Sequence, residues 1–254
     1  MELLNWINLK KLNWIGLSAN PNAIDLLKKH QHKINWDLLS SNPNAIELLK
    51  KNPERINWHR LSSNPNAIEL LKKNKDKIDW YWLSSNVNAI QLLKDNKDKI
   101  DWYMLSINPN AIELLNDNPE KINWNQFSKN PNAIEILKKN PEKINWYSLT
   151  LNSNGFEIMR TYQYKMNISI LSLNTNLDAI ELLKKYPMHI NWNYLSKNIN
   201  AIEILKVNQK KINWRNLSEN PSIFIKKDVI SIQSYFGTFK IEDLLNSIFK
   251  QMKI

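Results

Sequence analysis

The feature that most constrains this chain is a 22-residue text that restarts as soon as it ends. Residues 34–55 read Ile34-Asn-Trp-Asp-Leu-Leu-Ser-Ser-Asn-Pro-Asn-Ala-Ile-Glu-Leu-Leu-Lys-Lys-Asn-Pro-Glu-Arg55, and Ile56 opens the same text again. Shifting the sequence by 22 residues superposes Trp14, Trp36, Trp58, Trp80, Trp102, Trp124 and Trp146, and after one two-residue insertion the register resumes at Trp192 and Trp214. A fixed short period means that each unit buries its apolar face against its neighbours rather than against a remote part of the chain. The fold class that follows is all-α, an α-solenoid of short helix-turn-helix repeats.

Each unit parses in the same way. Asn35 and its counterparts, always Asn or Asp, fit a cap that accepts a free backbone N–H at the start of a short helix. Within it Trp36 and Leu39, spaced i, i+3, share a face, which is expected to be the buried one. Ser40 is matched by a hydroxyl residue in every unit and is expected to bond backbone at the turn. Asn42-Pro43 then starts a second helix, asparagine as cap and proline at the first helical position. Its Ala45, Ile46, Leu48 and Leu49 make a wide apolar stripe. Asn52-Pro53 should end it, asparagine through a left-handed cap. Helices of about 6 and 9 residues do not hold alone in water, so stacking must supply the stability. About ten layers at the usual 8–10 Å helix spacing give an extended rod or superhelix on the order of 90 Å long.

The sequence divides into residues 1–11, expected to cap the N-terminal end, an array over 12–227, and a segment over 228–254 with an amphipathic stretch from Lys240 to Met252. The array is irregular at 152–180: proline is lost, Gly155 replaces alanine, Ile168 replaces tryptophan and two residues are inserted. Here the superhelix is expected to bend or loosen, with Tyr162 or Tyr164 accommodated at Ile168.

A net charge of +11 invites a nucleic-acid reading, but the cations sit at helix C-termini, such as Lys50-Lys51, and in the following turn, such as Arg55, with acids nearby. That is a mixed surface. The longest apolar runs are too short to span a bilayer, and the N-terminus lacks the pattern of a signal peptide, so no membrane partner is expected and the location expected is intracellular, not secreted. The absence of cysteine excludes disulfides and thiolate metal sites. Gly16, Gly155 and Gly237 lie too far apart for a phosphate-cradling loop, and His30 and His32 share a turn without a third ligand. The carboxylates recur with the repeat as a solvated face does. The reading is of a non-enzyme with no cofactor, no metal and no small-molecule substrate.

What varies between units points to function. Two positions between the fixed tryptophan and leucine change freely, as does the one after the serine. Lying at i, i+1 and i+4 of the short helix, opposite its Trp/Leu face, they should line one strip along the solenoid. The candidate partner-binding residues are His59, Arg60, Tyr81, Trp82, Tyr103, Met104, Ile107, Gln126, Tyr147 and Tyr194. Aromatic residues, Met and Arg anchor interfaces, whereas free drift at a surface favours polar side chains.

The Ile-Asn-Trp-x-x-Leu-Ser-x-Asn-Pro-Asn-Ala-Ile-x-Leu-Leu-x-x-Asn-Pro-x-Lys unit resembles short repeats found in arrays in proteins of giant DNA viruses that infect amoebae and other protists. The likeness covers roughly residues 12–224. It implies a viral protein acting in host cytoplasm or carried in the particle, and brings no activity or catalytic residues with it. The expected function is a scaffold for protein–protein interaction. The alternatives are nucleic-acid binding through the basic rows and variable helix positions, and a structural role in the virion.

Overall fold

The computed structural model describes residues 1–162 and 165–226. It is all-α apart from one two-residue strand pair, an array of short helices in which each unit packs on the next. Every unit opens with a cap. Asn35 Oδ1 accepts the Leu38 N–H at 2.9 Å, and Asn or Asp does the same in all ten units, from Asn13 to Asn213. The Trp helix follows, Trp36–Ser40 in the second unit. A 3-10 turn over Pro43–Ala45 leads directly into a second helix over Ile46–Lys50. Another 3-10 turn, Pro53–Arg55, closes the unit. Asn52 does not take the expected left-handed conformation: its φ is −137°, and no described residue has positive φ. Its side chain caps instead, with Nδ2 donating to the Leu48 carbonyl at 2.9 Å.

The core is a spine of Leu39, Ala45, Leu49 and their counterparts, fully buried. The tryptophans flank it, half-buried, rather than forming it. Seven of these half-exposed indoles are roofed by the cation of their own unit's closing turn, as with Arg55 over Trp36 at 5.0 Å and Lys77 over Trp58 at 4.8 Å.

Four hydrogen bonds make the joint between consecutive units. Asn42 Nδ2 donates to the Ser18 and Asn20 carbonyls of the preceding unit, at 3.0 and 2.9 Å. Asn44 Nδ2 donates to the Pro21 carbonyl at 2.9 Å. Ser18 Oγ, itself donating to the Trp14 carbonyl, accepts the Asn35 N–H at 2.9 Å. The asparagines of the first kind are buried, so they satisfy backbone groups that no water reaches.

The same joint links the last described unit to the first. Asn20 Nδ2 donates to the Ser218 and Asn220 carbonyls at 3.0 and 2.9 Å, Asn22 Nδ2 to the Pro221 carbonyl at 2.9 Å, and the Asn13 N–H to Ser218 Oγ at 2.8 Å. The array is therefore a closed ring of ten units, and the expected extended rod is corrected: its contour curls back on itself. Residues 1–12 are not a cap on an open end but the second half of the tenth unit, whose first half is 213–226. Strand β1 (Glu2–Leu3) pairs antiparallel with β2 (Phe224–Ile225), and Lys11 roofs Trp214 at 4.8 Å as Lys33 roofs Trp14.

The irregular stretch does not break the ring. Asn152, Asn174 and Asn198 carry the ladder through it at 2.7–3.1 Å. The insertion is taken up by a longer second helix, Leu177–Lys185. Tyr162 packs on Trp146, with centroids 5.0 Å apart, rather than at Ile168, while Tyr164 lies outside the described residues. So does the amphipathic stretch of 240–252.

Candidate functional site

In a closed ring, the elements that approach their counterparts most closely lie at the smallest radius. Trp helices pack directly on neighbouring Trp helices, and the Asn-Pro-Asn turns likewise, whereas the second helices of neighbouring units stand further apart. The Trp helices and turns therefore form the inner part of the ring and the second helices its outer part. Clefts open between these outer elements, as at Lys138–Glu157 and at Lys184–Glu203.

The variable positions ride on the inner Trp helices, but they are not equivalent. The first is the most exposed: Tyr81 and Tyr103 are 42% accessible and Tyr147 55%. The second leans toward the preceding unit. Asn216 Nδ2 donates to the Asn193 carbonyl at 2.9 Å, and Ser148 Oγ to Asn125 Oδ1 at 2.5 Å. The third is half-buried, as at Ile107.

Most of the candidate residues are accessible. Trp82 is 41% exposed and meets Tyr81 edge-on at 5.3 Å, so the pair presents one rigid aromatic corner. Tyr103 follows in the next unit, with Met104 and Ile107 half-buried beneath it. Tyr194 and Arg60 are exposed, and His59 Nδ1 lies 2.5 Å from Asp79 Oδ2. Gln126 is the exception. It is buried, 6% exposed, and its Oε1 accepts from Lys129 Nζ at 3.2 Å, because the second variable position leans into the joint rather than out of it. It leaves the candidate set.

Many of the basic residues are engaged in the array itself. Seven closing-turn cations lie 4.5–5.0 Å from the centroid of their own unit's tryptophan. On the second helices Lys50, Lys72, Lys138 and Lys184 pair with the glutamate three residues before them. Lys94 instead reaches the next unit's Glu113 at 2.8 Å, and this contact holds the Glu113 carboxyl below its ordinary range and the Lys94 ammonium above its own. Period alone could not reveal the roofing role of the closing-turn cation. The spacing of 19 residues from Trp to Lys or Arg, held from Trp14/Lys33 to Trp146/Lys165 and again at Trp192/Lys211, was the available signal.

Among the described residues no helix is long and apolar enough to cross a membrane, and no cluster of three His, Asp or Glu could hold a metal ion. Compared with family models, curated proteins and solved structures, the chain matches none.

Proposed function

We propose that this chain is a non-enzymatic interaction scaffold that holds a protein partner on the exposed side of its Trp helices. The observation that carries the reading is the corner of Tyr81, Trp82 and Tyr103, continued by Tyr147, where large aromatic side chains are 41–55% accessible. Exposed aromatics grouped on a rigid support are the residue types and the arrangement of an interface hot spot. The resemblance to giant-virus repeats suggests a viral protein with host or virion partners.

Nothing favours the nucleic-acid alternative to the same degree. The ion pairs and cation–π contacts account for many of the Lys and Arg side chains. The test is recovery of partners from host lysate by the full chain and by Tyr81→Ala/Trp82→Ala/Tyr103→Ala, at low and at high salt. The reading expects a protein partner that the triple variant loses and that high salt retains, since apolar contacts do not weaken with counterion release. Recovery of the same proteins by both chains would sink it. So would recovery of nucleic acid alone at low salt.

A further inference from the structure

We infer that the cleft beside Ile168 is a binding site for a planar aromatic ring of about indole size, because the array builds this cleft around an indole elsewhere and here leaves the indole out. The comparison lies one joint further along. Between the outer helices of the eighth and ninth units, Trp192 stands in a cleft with Ile190, Lys184, Glu203 and Ile204, roofed by Lys211 at 4.8 Å. Between the seventh and eighth units the counterparts line the same cleft: Met166 for Ile190, Arg160 for Lys184, Glu181 for Glu203, Leu182 for Ile204, and Ile168 for Trp192. The counterpart of Lys211 is His189, which does not line it.

Loss of the indole shows in the space. The volume is about 480 Å³ beside Ile168 and about 350 Å³ beside Trp192. That lies within the range of small-molecule sites, and the lining has their usual character, an apolar floor under a few polar groups. Phe156, buried, forms the floor with Met166, Ile168 and Leu182. At the rim Arg160 lies over the Phe156 ring at 5.5 Å and pairs with Asp178 at 3.0 Å, while Glu181 pairs with Lys184 at 2.7 Å. A flat ring entering here would find the apolar contacts that the array gives its own tryptophans, with Arg160 and Lys185 at the rim in place of the roofing cation.

The experiment titrates the full chain with indole and, in parallel, with N-acetyltryptophanamide. Saturable binding of one equivalent of indole is expected, with Kd on the order of 1 mM for so small a ligand. Binding of the amide as well assigns the site to an aromatic side chain of a polypeptide, and binding of indole alone to a free aromatic molecule. Ile168→Trp should fill the cleft from within, weaken indole binding at least about tenfold and raise Tm. Ile168→Phe gives the same test with a smaller filler should the first variant fold poorly. Trp192→Ile should add a second equivalent, and Tyr81→Ala/Trp82→Ala/Tyr103→Ala should change nothing, which separates this site from the proposed partner surface. No saturable binding, or binding undiminished in the filled variants, would overturn the inference.

Discussion

The joint between the second and third units and the joint between the tenth and first make the same four hydrogen bonds, yet at the second the chain enters the first unit from residues 1–12 and not from the half-unit 213–226 whose carbonyls and serine make those bonds. At the internal joint Asn64 Nδ2 donates to the Ser40 and Asn42 carbonyls at 3.0 and 2.8 Å, and at the seam Asn20 does so to Ser218 and Asn220 at 3.0 and 2.9 Å. What holds neighbours together is therefore written inside the repeat and does not depend on connectivity. The seam differs in two respects. Its outer layer is the β1–β2 pair instead of a helix, and Gly16 stands where other units carry Leu38, Arg60 or Trp82. A Cβ on Gly16 would meet Ser218 Cβ at 2.9 Å and the Arg215 carbonyl at 3.0 Å, so the helices meet more closely at the seam than a side chain here would allow without a shift.

The largest expected effect separates the two joints at their asparagines. Asn64→Ala takes the Asn64 partner from the buried Ser40 carbonyl and from the Asn66 N–H, and leaves the Asn42 carbonyl with the Ala45 N–H alone, and should cost about 2–4 kcal/mol in denaturant unfolding. Asn20→Ala removes the same bonds, but the seam can part and let water reach them. A smaller stability loss with a larger radius of gyration is expected there, and equal losses with unchanged radius would erase the distinction.

Next in size is Gly16→Ala. Helix propensity alone predicts stabilisation by roughly 1 kcal/mol, whereas the close approach predicts a cost of about 1–3 kcal/mol. The sign of the change in Tm decides, and destabilisation is expected. Smaller again are the roofing cations. Lys11→Ala over Trp214 and Lys77→Ala over Trp58 should each cost about 0.5–1 kcal/mol, equally at seam and interior if the two are built alike.

The smallest effect is the pH dependence of the Lys94–Glu113 bridge, which spans two outer helices. The lowered Glu113 pKa means that its contribution is complete above the unfolded value of about 4.3 and is lost as pH falls through the folded one. The raised Lys94 pKa means that its contribution is complete below about 10.4 and is lost as pH rises through its folded value. Lys94→Met should flatten the acid limb of Tm against pH slightly, and less so in high salt, since both groups are exposed.

Much of the unit was legible in the sequence because its signals are local. The Asn/Asp caps, proline at the start of the second segment and the serine hydroxyl each act within a few residues, and each does what its chemistry predicts. Two things were less visible. The buried asparagine reads as a cap, and it is one, through Oδ1; its Nδ2 acts across the joint, which no single unit contains. Closure depends on outer helices standing further apart than inner ones, a difference of spacing that summed over ten units turns a rod into a ring. One trace of it was present: residues 8–12 match the end of a unit, with Lys11 and Leu12 in the places of Lys33 and Ile34, while the last unit stops matching after its first half. At the candidate site the exposed tyrosines were legible, but Gln126 was not, because the lean of the second variable position follows from inter-unit packing.

The ring is tested most directly by distances between spin labels in this cysteine-free chain. Ile15→Cys/Arg215→Cys places labels on exposed, equivalent positions across the seam, and Asp37→Cys/His59→Cys places them identically across an internal joint. A closed ring predicts the same short separation for both pairs, one helix spacing of about 8–10 Å plus the label arms. A separation of roughly 70–90 Å for the first pair, with the second still short, would mean an open rod and would contradict the account.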